Sequence, residues 1–271
     1  MKIGVFDSGV GGLTVLRALL EHVPAEYAYL GDTARLPYGA KSPETVARYA
    51  VSSARFLVEE EGAEFLVIAC NTASALALDA IREAVSVPVL GVVETGANAA
   101  DASSTTRDVM VIATSATVES HAYAAACAER KLRAIEKACP LLVPLVEEGW
   151  IESPVTAEVL RIYMAELMEQ ARGAGLNADT LVLGCTHYPL LRAQIEKVVP
   201  ARLRVIDSAE VTAEQVGGML GAGGREPGAG GQELGASAQF FATDSVTKFR
   251  ALGSRFLGRA IEDVRLVDLG G

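Results

Sequence analysis

The sequence lacks most of the features that mark membrane, secreted and nucleic-acid-binding proteins. No apolar run approaches the roughly 18 residues that a membrane-spanning helix needs. Met1 and Lys2 lead directly into an apolar run, which leaves no room for a signal peptide. The 24 lysines and arginines are outnumbered by 34 aspartates and glutamates, whereas a nucleic-acid-binding surface is basic. These absences predict a cytoplasmic protein that binds neither membranes nor nucleic acids.

Cysteine is also scarce, and the spacings of common cofactor sites are missing. The four cysteines show no disulfide-framework spacing and predict reduced thiols. No C-x-x-C or H-x-x-x-H pair occurs, although such pairs are usual in zinc sites. The glycine-rich segment 9–12 has neither G-x-G-x-x-G spacing nor the lysine of a P-loop. We expect it to form a tight turn that lets Asp7 and Ser8 approach a ligand.

The composition and the alternation of apolar patterns predict an α/β fold. Half of the 271 residues are hydrophobic and 21% are charged, which is typical of globular proteins large enough for two domains. Short β-branched runs alternate with helical periodicity, so parallel sheets covered by helices on both faces are expected. The predicted strands are residues 3–6, 27–30, 65–69, 87–93, 109–113, 181–184 and 203–206. The predicted helices are residues 13–22, 43–61, 155–171 and 190–198.

A glycine-rich stretch interrupts this alternation near the end of the chain. Residues 217–235 contain nine glycines, which predicts a flexible surface loop because ordering glycine costs more entropy than packing can recover. After it, two predicted strands (239–243 and 264–269) flank a helix (245–256). We expect these elements to return to the first domain, so that residues 1–97 and 209–271 form one domain and residues 98–208 the other.

Two segments 115 residues apart carry nearly the same pattern. Residues 65–74 and 180–189 each contain an apolar run, a small residue, a cysteine and a polar cluster. Two further pairs keep the same order along the chain: residues 3–9 with 110–116, and residues 92–95 with 205–208, at offsets of 107 and 113. Together the three pairs predict an internal duplication with a domain-sized unit.

Polar residues follow the predicted strands at what should be one end of the fold. In open parallel sheets, ligands bind beyond the carboxyl ends of the strands. We therefore expect the functional site there, among Asp7-Ser8, Asp32-Thr33, Cys70-Asn71-Thr72, Glu94-Thr95, Thr114-Ser115, Cys185-Thr186-His187 and Asp207-Ser208.

The paired cysteines, Cys70 and Cys185, are open to four interpretations. They could be inert core thiols, zinc ligands together with His187, or, for Cys185 and His187 alone, the nucleophile and base of a thiol hydrolase. They could also be paired acid–base groups, in which one thiolate removes a proton from carbon and the opposite thiol delivers one. Only this last interpretation requires both cysteines. Because a helix N-terminus lowers a thiol pKa from about 8.5, we expect both thiols to titrate nearer neutrality.

Five motifs in order resemble those of bacterial glutamate racemases, in the aspartate/glutamate racemase family. They are GVFDSGVGGLT at residues 4–14, GDTARLPYG at 31–39, ACNTA at 69–73, VPLVEEG at 143–149 and GCTHYP at 184–189. The resemblance runs from residue 1 to about residue 208 and is weaker beyond it. It implies two similar flavodoxin-like domains related by a pseudo-two-fold axis, with the active site in the cleft between them. It also implies a cofactor-independent enzyme that interconverts L- and D-glutamate and supplies D-glutamate for peptidoglycan synthesis.

The resemblance also implies roles for individual residues. Cys70 would handle the α-proton of D-glutamate, assisted by Asp7, and Cys185 that of L-glutamate, assisted by His187 and Glu147. No metal site is implied, and a homodimer is the candidate assembly. The implied substrate-binding residues are Asp7, Ser8, Tyr38, Gly39, Asn71, Thr72, Thr114, Thr117, Thr186 and His187.

The matched motifs contain one basic residue besides His187, namely Arg35. We therefore expect hydroxyls and backbone N–H groups to bind the substrate carboxylates. Two alternatives to a glutamate racemase remain: a racemase for aspartate or another amino acid, since one methylene changes discrimination only modestly, and a non-catalytic sensor of an acidic amino acid.

Overall fold

The computed structural model describes residues 1–221 and 236–270. Contacts divide the chain into two compact units, Met1–Val92 with Ala209–Gly271 (unit 1) and Val93–Ser208 (unit 2). The boundary that the sequence analysis placed after residue 97 falls inside a helix that begins at Val92. Among the described residues, no helix is both long and apolar enough to cross a membrane.

Strands and helices alternate along the described residues. The strands are β1 (Lys2–Asp7), β2 (Glu26–Gly31), β3 (Phe65–Ile68), β4 (Val89–Gly91), β5 (Asp108–Ala113), β6 (Arg133–Ala138), β7 (Thr180–Gly184), β8 (Arg204–Asp207), β9 (Ser237–Ala242) and β10 (Arg265–Leu266). The α-helices are α1 (Leu13–His22), α2 (Pro43–Arg55), α3 (Asn71–Leu76), α4 (Leu78–Ala84), α5 (Val92–Ser103), α6 (Ser115–Glu119), α7 (Ala122–Glu129), α8 (Leu142–Glu147), α9 (Pro154–Gly173), α10 (Arg192–Val198), α11 (Ser208–Met219) and α12 (Val246–Leu257).

Each unit contains one sheet of parallel strands, and the two sheets share a strand order. In unit 1 the order is β10-β9-β2-β1-β3-β4, and in unit 2 it is β6-β5-β7-β8. The order β2-β1-β3-β4 therefore recurs as β6-β5-β7-β8. All the described pairings are parallel. The predicted α/β class is confirmed, and the central strands β1 and β3 correspond to β5 and β7, as two of the three repeated segments predict.

The predicted alignment of the third repeated pair, residues 92–95 with 205–208, is wrong. Residues 205–207 lie in β8, but residues 92–95 lie at the start of α5 and not at the end of a strand. The strand that corresponds to β8 is β4, which ends at Gly91, so the predicted strand 87–93 is too long at both ends. A buried apolar run does not by itself distinguish a strand from the first turn of a buried helix, and Val92 and Val93 belong to the helix.

The C-terminal elements complete unit 1, as the sequence predicts. β9 pairs with β2 along its whole length, and β10 pairs with β9. The predicted glycine-rich loop is wrong at its start, because residues 217–219 continue α11. The buried side chains of Ala209, Ala213 and Val216 anchor this helix, and their packing outweighs the roughly 1 kcal/mol that each helical glycine costs. Residues 222–235 of that predicted loop lie outside the described residues.

Three elements differ from the prediction in instructive ways. The predicted helix 43–61 is α2 followed by a π-helical turn, Phe56–Glu60. The first part of the predicted helix 190–198 belongs to a 3₁₀ turn, Tyr188–Leu191, before α10. β6 escaped the sequence analysis because Arg133, Glu136 and Lys137 interrupt its apolar pattern. An edge strand tolerates such residues, since one of its sides carries no further strand.

At the amino ends of the unit 2 strands, Asp179 hydrogen-bonds to the segment that leads into β5. Its carboxylate accepts hydrogen bonds from the hydroxyls of Ser104 and Thr105 and from the backbone N–H groups of Thr105 and Thr106. Burial raises the pKa of Asp179, but these hydrogen bonds outweigh burial and hold the pKa below its usual value. The ionised carboxylate is therefore the form that stabilises the folded unit.

We expect Asp179→Asn to destabilise the protein by about 2 kcal/mol at pH 7, because an amide replaces a charged acceptor with a group that also donates. A lowered folded-state pKa contributes stability that is complete above the unfolded pKa of about 3.9 and is lost as the pH falls further. The difference between wild type and variant in urea denaturation should therefore shrink at pH 3. Asp263→Asn, at an exposed position, is the control and should change little at either pH. A difference for Asp179→Asn that does not depend on pH would contradict the linkage.

Candidate active site

In unit 1, Cys70 lies at the carboxyl end of the buried strand β3. It is the N-cap of α3, and its Sγ accepts a hydrogen bond from the backbone N–H of Ala73 at 3.4 Å. The thiol also donates to the hydroxyl of Ser8 at 3.5 Å. Only 5% of the residue is exposed. The strand-to-helix turn therefore presents the sulfur at the end of the sheet where ligands bind in this fold class.

Asp7 and Ser8 lie next to Cys70 because β1 and β3 are neighbouring parallel strands. Asp7 ends β1, and its Oδ2 accepts a hydrogen bond from the N–H of Gly9 at 2.8 Å. A Cβ atom on Gly12 would lie 2.6 Å from Cβ of Asp7 and 2.9 Å from Cβ of Ala69. Glycine is therefore required at position 12, and the tight turn expected from the sequence lets the start of α1 pack against Asp7.

The Cys70 thiol is protonated at neutral pH. Burial and, to a smaller extent, the nearby Asp7 carboxylate raise its pKa to about 12, against the opposing effect of the hydrogen bonds with Ser8 and Ala73. The expectation of a thiol that titrates near neutrality is thus wrong for Cys70. The helix that it caps has only six residues, and its field does not compensate for the loss of hydration. Cys70 needs a change of environment, such as a bound ligand, before it can act as a base.

A second group in unit 1 centres on Asp32, which is completely buried. Its carboxylate accepts hydrogen bonds from the hydroxyl of Tyr38, from Nε of Arg35 at 2.7 Å and from the hydroxyl of Thr243 at 2.9 Å. Arg35 also stacks over the ring of Tyr49. The single arginine of the matched motifs is therefore paired with an internal carboxylate, which agrees with the expectation that hydroxyls and N–H groups bind the substrate carboxylates.

The remaining unit 1 residues lie around these two groups. Asn71 and Thr72 form the first turn of α3, directly after Cys70, and both are buried. Tyr38 and Gly39 form a 3₁₀ turn, Tyr38–Ala40, and the phenol of Tyr38 points to Asp32. Asp32 is among the strand-end residues expected from the sequence, but no role was predicted for it. Its G-D-T context at the end of a strand was the available signal.

In unit 2, Cys185 follows β7 just as Cys70 follows β3, and an imidazole lies beside it. Nδ1 of His187 is 3.9 Å from Sγ of Cys185 and 3.5 Å from the hydroxyl oxygen of Thr186. Nε2 of His187 is 3.1 Å from Oε1 of Glu147. These contacts form a continuous path of carboxylate, imidazole and thiol. Glu147 ends α8, about 40 residues before His187, so sequence spacing alone does not predict the contact.

The imidazole of His187 is held in its charged form. Burial lowers its pKa, but the hydrogen bonds to Cys185 and Glu147 outweigh burial and raise the pKa to about 10. At neutral pH His187 is therefore an imidazolium that can donate from both ring nitrogens. Such a cation can stabilise negative charge on the neighbouring sulfur or return a proton to it.

Two hydroxyls mark the end of β5, the unit 2 counterpart of β1. Thr114 follows the strand, and its hydroxyl lies 2.9 Å from that of Thr117, which is buried in α6. Phe6 pairs with Ile68 and Ile112 pairs with Leu183, so Asp7 and Ser8 correspond to Ala113 and Thr114, one residue from the alignment of the repeated segments. The carboxylate at this position is therefore present only in unit 1. The two thiols have equivalent positions but different partners.

The other strand-end and cysteine candidates have more ordinary positions. Asp207 ends β8, whereas Glu94 lies within α5 and does not end a strand. Cys127 and Cys139 are buried, and burial raises their pKa values to about 11 and 12. They pack in the core, as the sequence predicts. Among the described residues, no group of three or more His, Cys, Asp or Glu side chains is arranged to hold a metal ion.

Comparison with known proteins identifies the class to which this fold and these residues belong. Residues 3–216 match the family model described as Asp/Glu/Hydantoin racemase. The chain belongs to this family and is an enzyme of the racemase class. The resemblance indicated by the five sequence motifs is thereby confirmed.

Within the family, relatives that match nearly the whole chain are named glutamate racemases. The one from Koribacter versatilis is 54% identical over 99% of this chain and 98% of its own length. A Bacillus anthracis glutamate racemase structure superposes with a TM-score of 0.88 at 36% identity, covering 98% of this chain and 97% of that one. A Francisella tularensis glutamate racemase in complex with D-glutamate gives a TM-score of 0.86 at 32% identity, covering 99% of this chain and 97% of that one.

Proposed function

We propose that this protein interconverts L- and D-glutamate with two thiols, one of which removes the proton on Cα while the other donates a proton to the opposite face. The observation that carries the proposal is the pair Cys70 and Cys185, each at the end of the equivalent strand of two sheets with the same strand order. Inversion of a stereocentre needs one group to remove the proton from one face and a second group to supply a proton to the other. The proposal therefore assigns one of the two thiols to each face of that carbon atom.

The unlike surroundings of the thiols support different assistance for each. Cys70, beside Asp7 and Ser8, would act on the α-proton of D-glutamate. Cys185 would act on that of L-glutamate, with the imidazolium of His187, held by Glu147, as its proton partner. In each direction a thiolate takes the α-proton to leave a carbanion, and the opposite thiol donates its proton to that carbanion. The residues then exchange roles for the reverse reaction, so no net proton is consumed.

The substrate carboxylates would be bound mainly by neutral groups. Arg35 is already paired with Asp32, and the phenol of Tyr38 donates to the same carboxylate. We therefore assign Tyr38 and Gly39 to binding through their backbone. The hydroxyl and amide groups proposed to bind the ligand are those of Ser8, Asn71, Thr72, Thr114, Thr117 and Thr186.

Proton NMR of L-glutamate in deuterium oxide tests the proposal directly. With the purified protein, the Cα proton signal should disappear while circular dichroism falls to zero as D-glutamate accumulates. Binding without deuterium at Cα would instead favour the sensor. A panel of substrates that includes aspartate tests the remaining alternative, because a racemase for aspartate would turn over that substrate faster than glutamate.

We also propose that the reaction needs no cofactor. Pyridoxal catalysis requires a Schiff-base lysine, and all six lysines of the sequence lie outside the strand-end residues. We expect turnover to survive exhaustive treatment with EDTA, and the protein to show no absorbance from a bound pyridoxal cofactor. Activity that EDTA abolishes and zinc restores would revive the metal interpretation of the cysteines.

The cellular role follows from the product. We propose that the enzyme acts in the cytoplasm and supplies D-glutamate for peptidoglycan. Its gene should then restore growth of a bacterial D-glutamate auxotroph on medium without D-glutamate, and the Cys70→Ala version should not.

A further inference from the structure

Two buried tyrosines lie two residues apart on β2, Tyr27 and Tyr29, so both side chains point to the same face of the sheet. The hydroxyl of Tyr27 donates to the carbonyls of Val23 at 2.7 Å and Leu19 at 3.2 Å, at the end of α1. The hydroxyl of Tyr29 lies instead under the turn that precedes α1. It donates to the carbonyl of Gly9 at 3.0 Å.

The Tyr29 side chain is held at the turn between β1 and α1. Its hydroxyl donates to the Gly9 carbonyl in that turn. Its ring is packed against those of Phe240 and Phe249, with centroids 6.5 and 6.0 Å away. A fully buried ring held on two sides by aromatic neighbours has little freedom to move its hydroxyl.

Gly9 connects this hydroxyl to the residues around Cys70. The N–H of Gly9 donates to Oδ2 of Asp7, and the carbonyl of Gly9 accepts from Tyr29. The backbone of Gly9 also lies close to β2, because a Cβ atom on Gly31 would be 2.3 Å from the Gly9 carbonyl oxygen. The two peptide groups that flank the Gly9 Cα therefore link the Tyr29 hydroxyl to the Asp7 carboxylate.

We propose that Tyr29 is a positioning residue for the Cys70 half of the reaction. It touches neither thiol nor substrate in this role, but it fixes the turn that carries Asp7 and Ser8, and Ser8 in turn hydrogen-bonds the Cys70 thiol. The inference rests on the proposed function, because it concerns the proton transfer that we assign to Cys70. The phenol stays a neutral donor, since burial and the nearby Asp7 and Cys70 raise its pKa well above the usual value.

The test is Tyr29→Phe, with Tyr27→Phe as the matched control. Each change removes one buried hydroxyl from the same face of the same strand, so both variants should lose stability. Tyr29→Phe should lower kcat about 10-fold with little change in KM, because a small displacement of an acid–base group slows proton transfer. It should also raise the primary deuterium isotope effect on D-glutamate more than that on L-glutamate, because the Cys70 step becomes the slower one. Tyr27→Phe should keep wild-type turnover per folded molecule and wild-type isotope effects.

Three outcomes would overturn the inference. Tyr29→Phe could retain wild-type kinetics, or both variants could lose activity only in proportion to their folded fraction, measured by far-ultraviolet circular dichroism, with unchanged isotope effects. The isotope effect could also rise for L-glutamate instead of D-glutamate. If the wild-type protein does not racemise glutamate at all, the proposed function fails, and the role of Tyr29 fails with it. An active wild type separates the two cases.

Discussion

Cys70→Ala and Cys185→Ala should each abolish racemisation. Inversion needs a proton carrier on both faces of Cα, and an alanine leaves one face without any group that can exchange a proton. A single general acid or base usually contributes about 10²- to 10⁴-fold, so we expect at least that loss of kcat in each variant. Polarimetry with both enantiomers measures it. In each variant kcat/KM must fall by the same factor for L-glutamate and for D-glutamate, because the equilibrium constant between the enantiomers is unity.

Cys127→Ala and Cys139→Ala are the matched controls. Both thiols are fully buried in unit 2 and neither belongs to the residues proposed to act on the substrate, although Cys139 directly follows β6. Their removal should lower stability and leave turnover per folded molecule nearly unchanged. Near-normal turnover in either Cys70→Ala or Cys185→Ala would falsify the two-thiol mechanism and would leave a single-thiol or non-enzymatic role.

His187→Ala should cause the second-largest loss, about 10²-fold in kcat/KM for both enantiomers. The variant removes the charged donor beside Cys185 and the hydrogen bond between that donor and the Glu147 carboxylate. Proton transfer at Cys185 should therefore become the slowest step. The diagnostic measurement is the primary isotope effect at Cα. Deuterium on L-glutamate should slow the variant more than it slows the wild type, and deuterium on D-glutamate should show a smaller rise.

His121→Ala serves as the control for the loss of an imidazole. The side chain of His121 is 76% exposed, and its Nδ1 lies 3.2 Å from the largely buried carboxylate of Glu136. Because His121 is not among the residues proposed to act on the substrate, its removal should leave the rate and both isotope effects unchanged. Equal increases of the isotope effect for both enantiomers in His187→Ala would argue against the assignment of His187 to the Cys185 side. An unchanged rate would remove His187 from the mechanism.

Several features of the site depend on distances that a sequence does not contain. The hydrogen-bonded group around Asp32 combines two segments about 200 residues apart, which meet only because β9 pairs with β2. Its other members are Arg35, Tyr38 and Thr243. The direction of the Cys70 pKa shift was mispredicted for a similar reason. A helix N-terminus is visible in the sequence, but the degree of burial that opposes it is a property of the packed unit.

The local pattern of the sequence was sufficient for the α/β class, for the two equivalent cysteines at strand ends and for the return of the C-terminal strands to unit 1. These features depend on hydrophobic periodicity and on residue types within about ten positions, which sequence records directly. Only the tertiary structure decided that residues 92–95 belong to a helix, that β6 is an edge strand, that Glu147 holds His187 and that Tyr29 lies under the Asp7 turn. Each of these depends on which segments pack together, and packing couples residues far apart in the chain through burial and hydrogen bonds that no local pattern encodes.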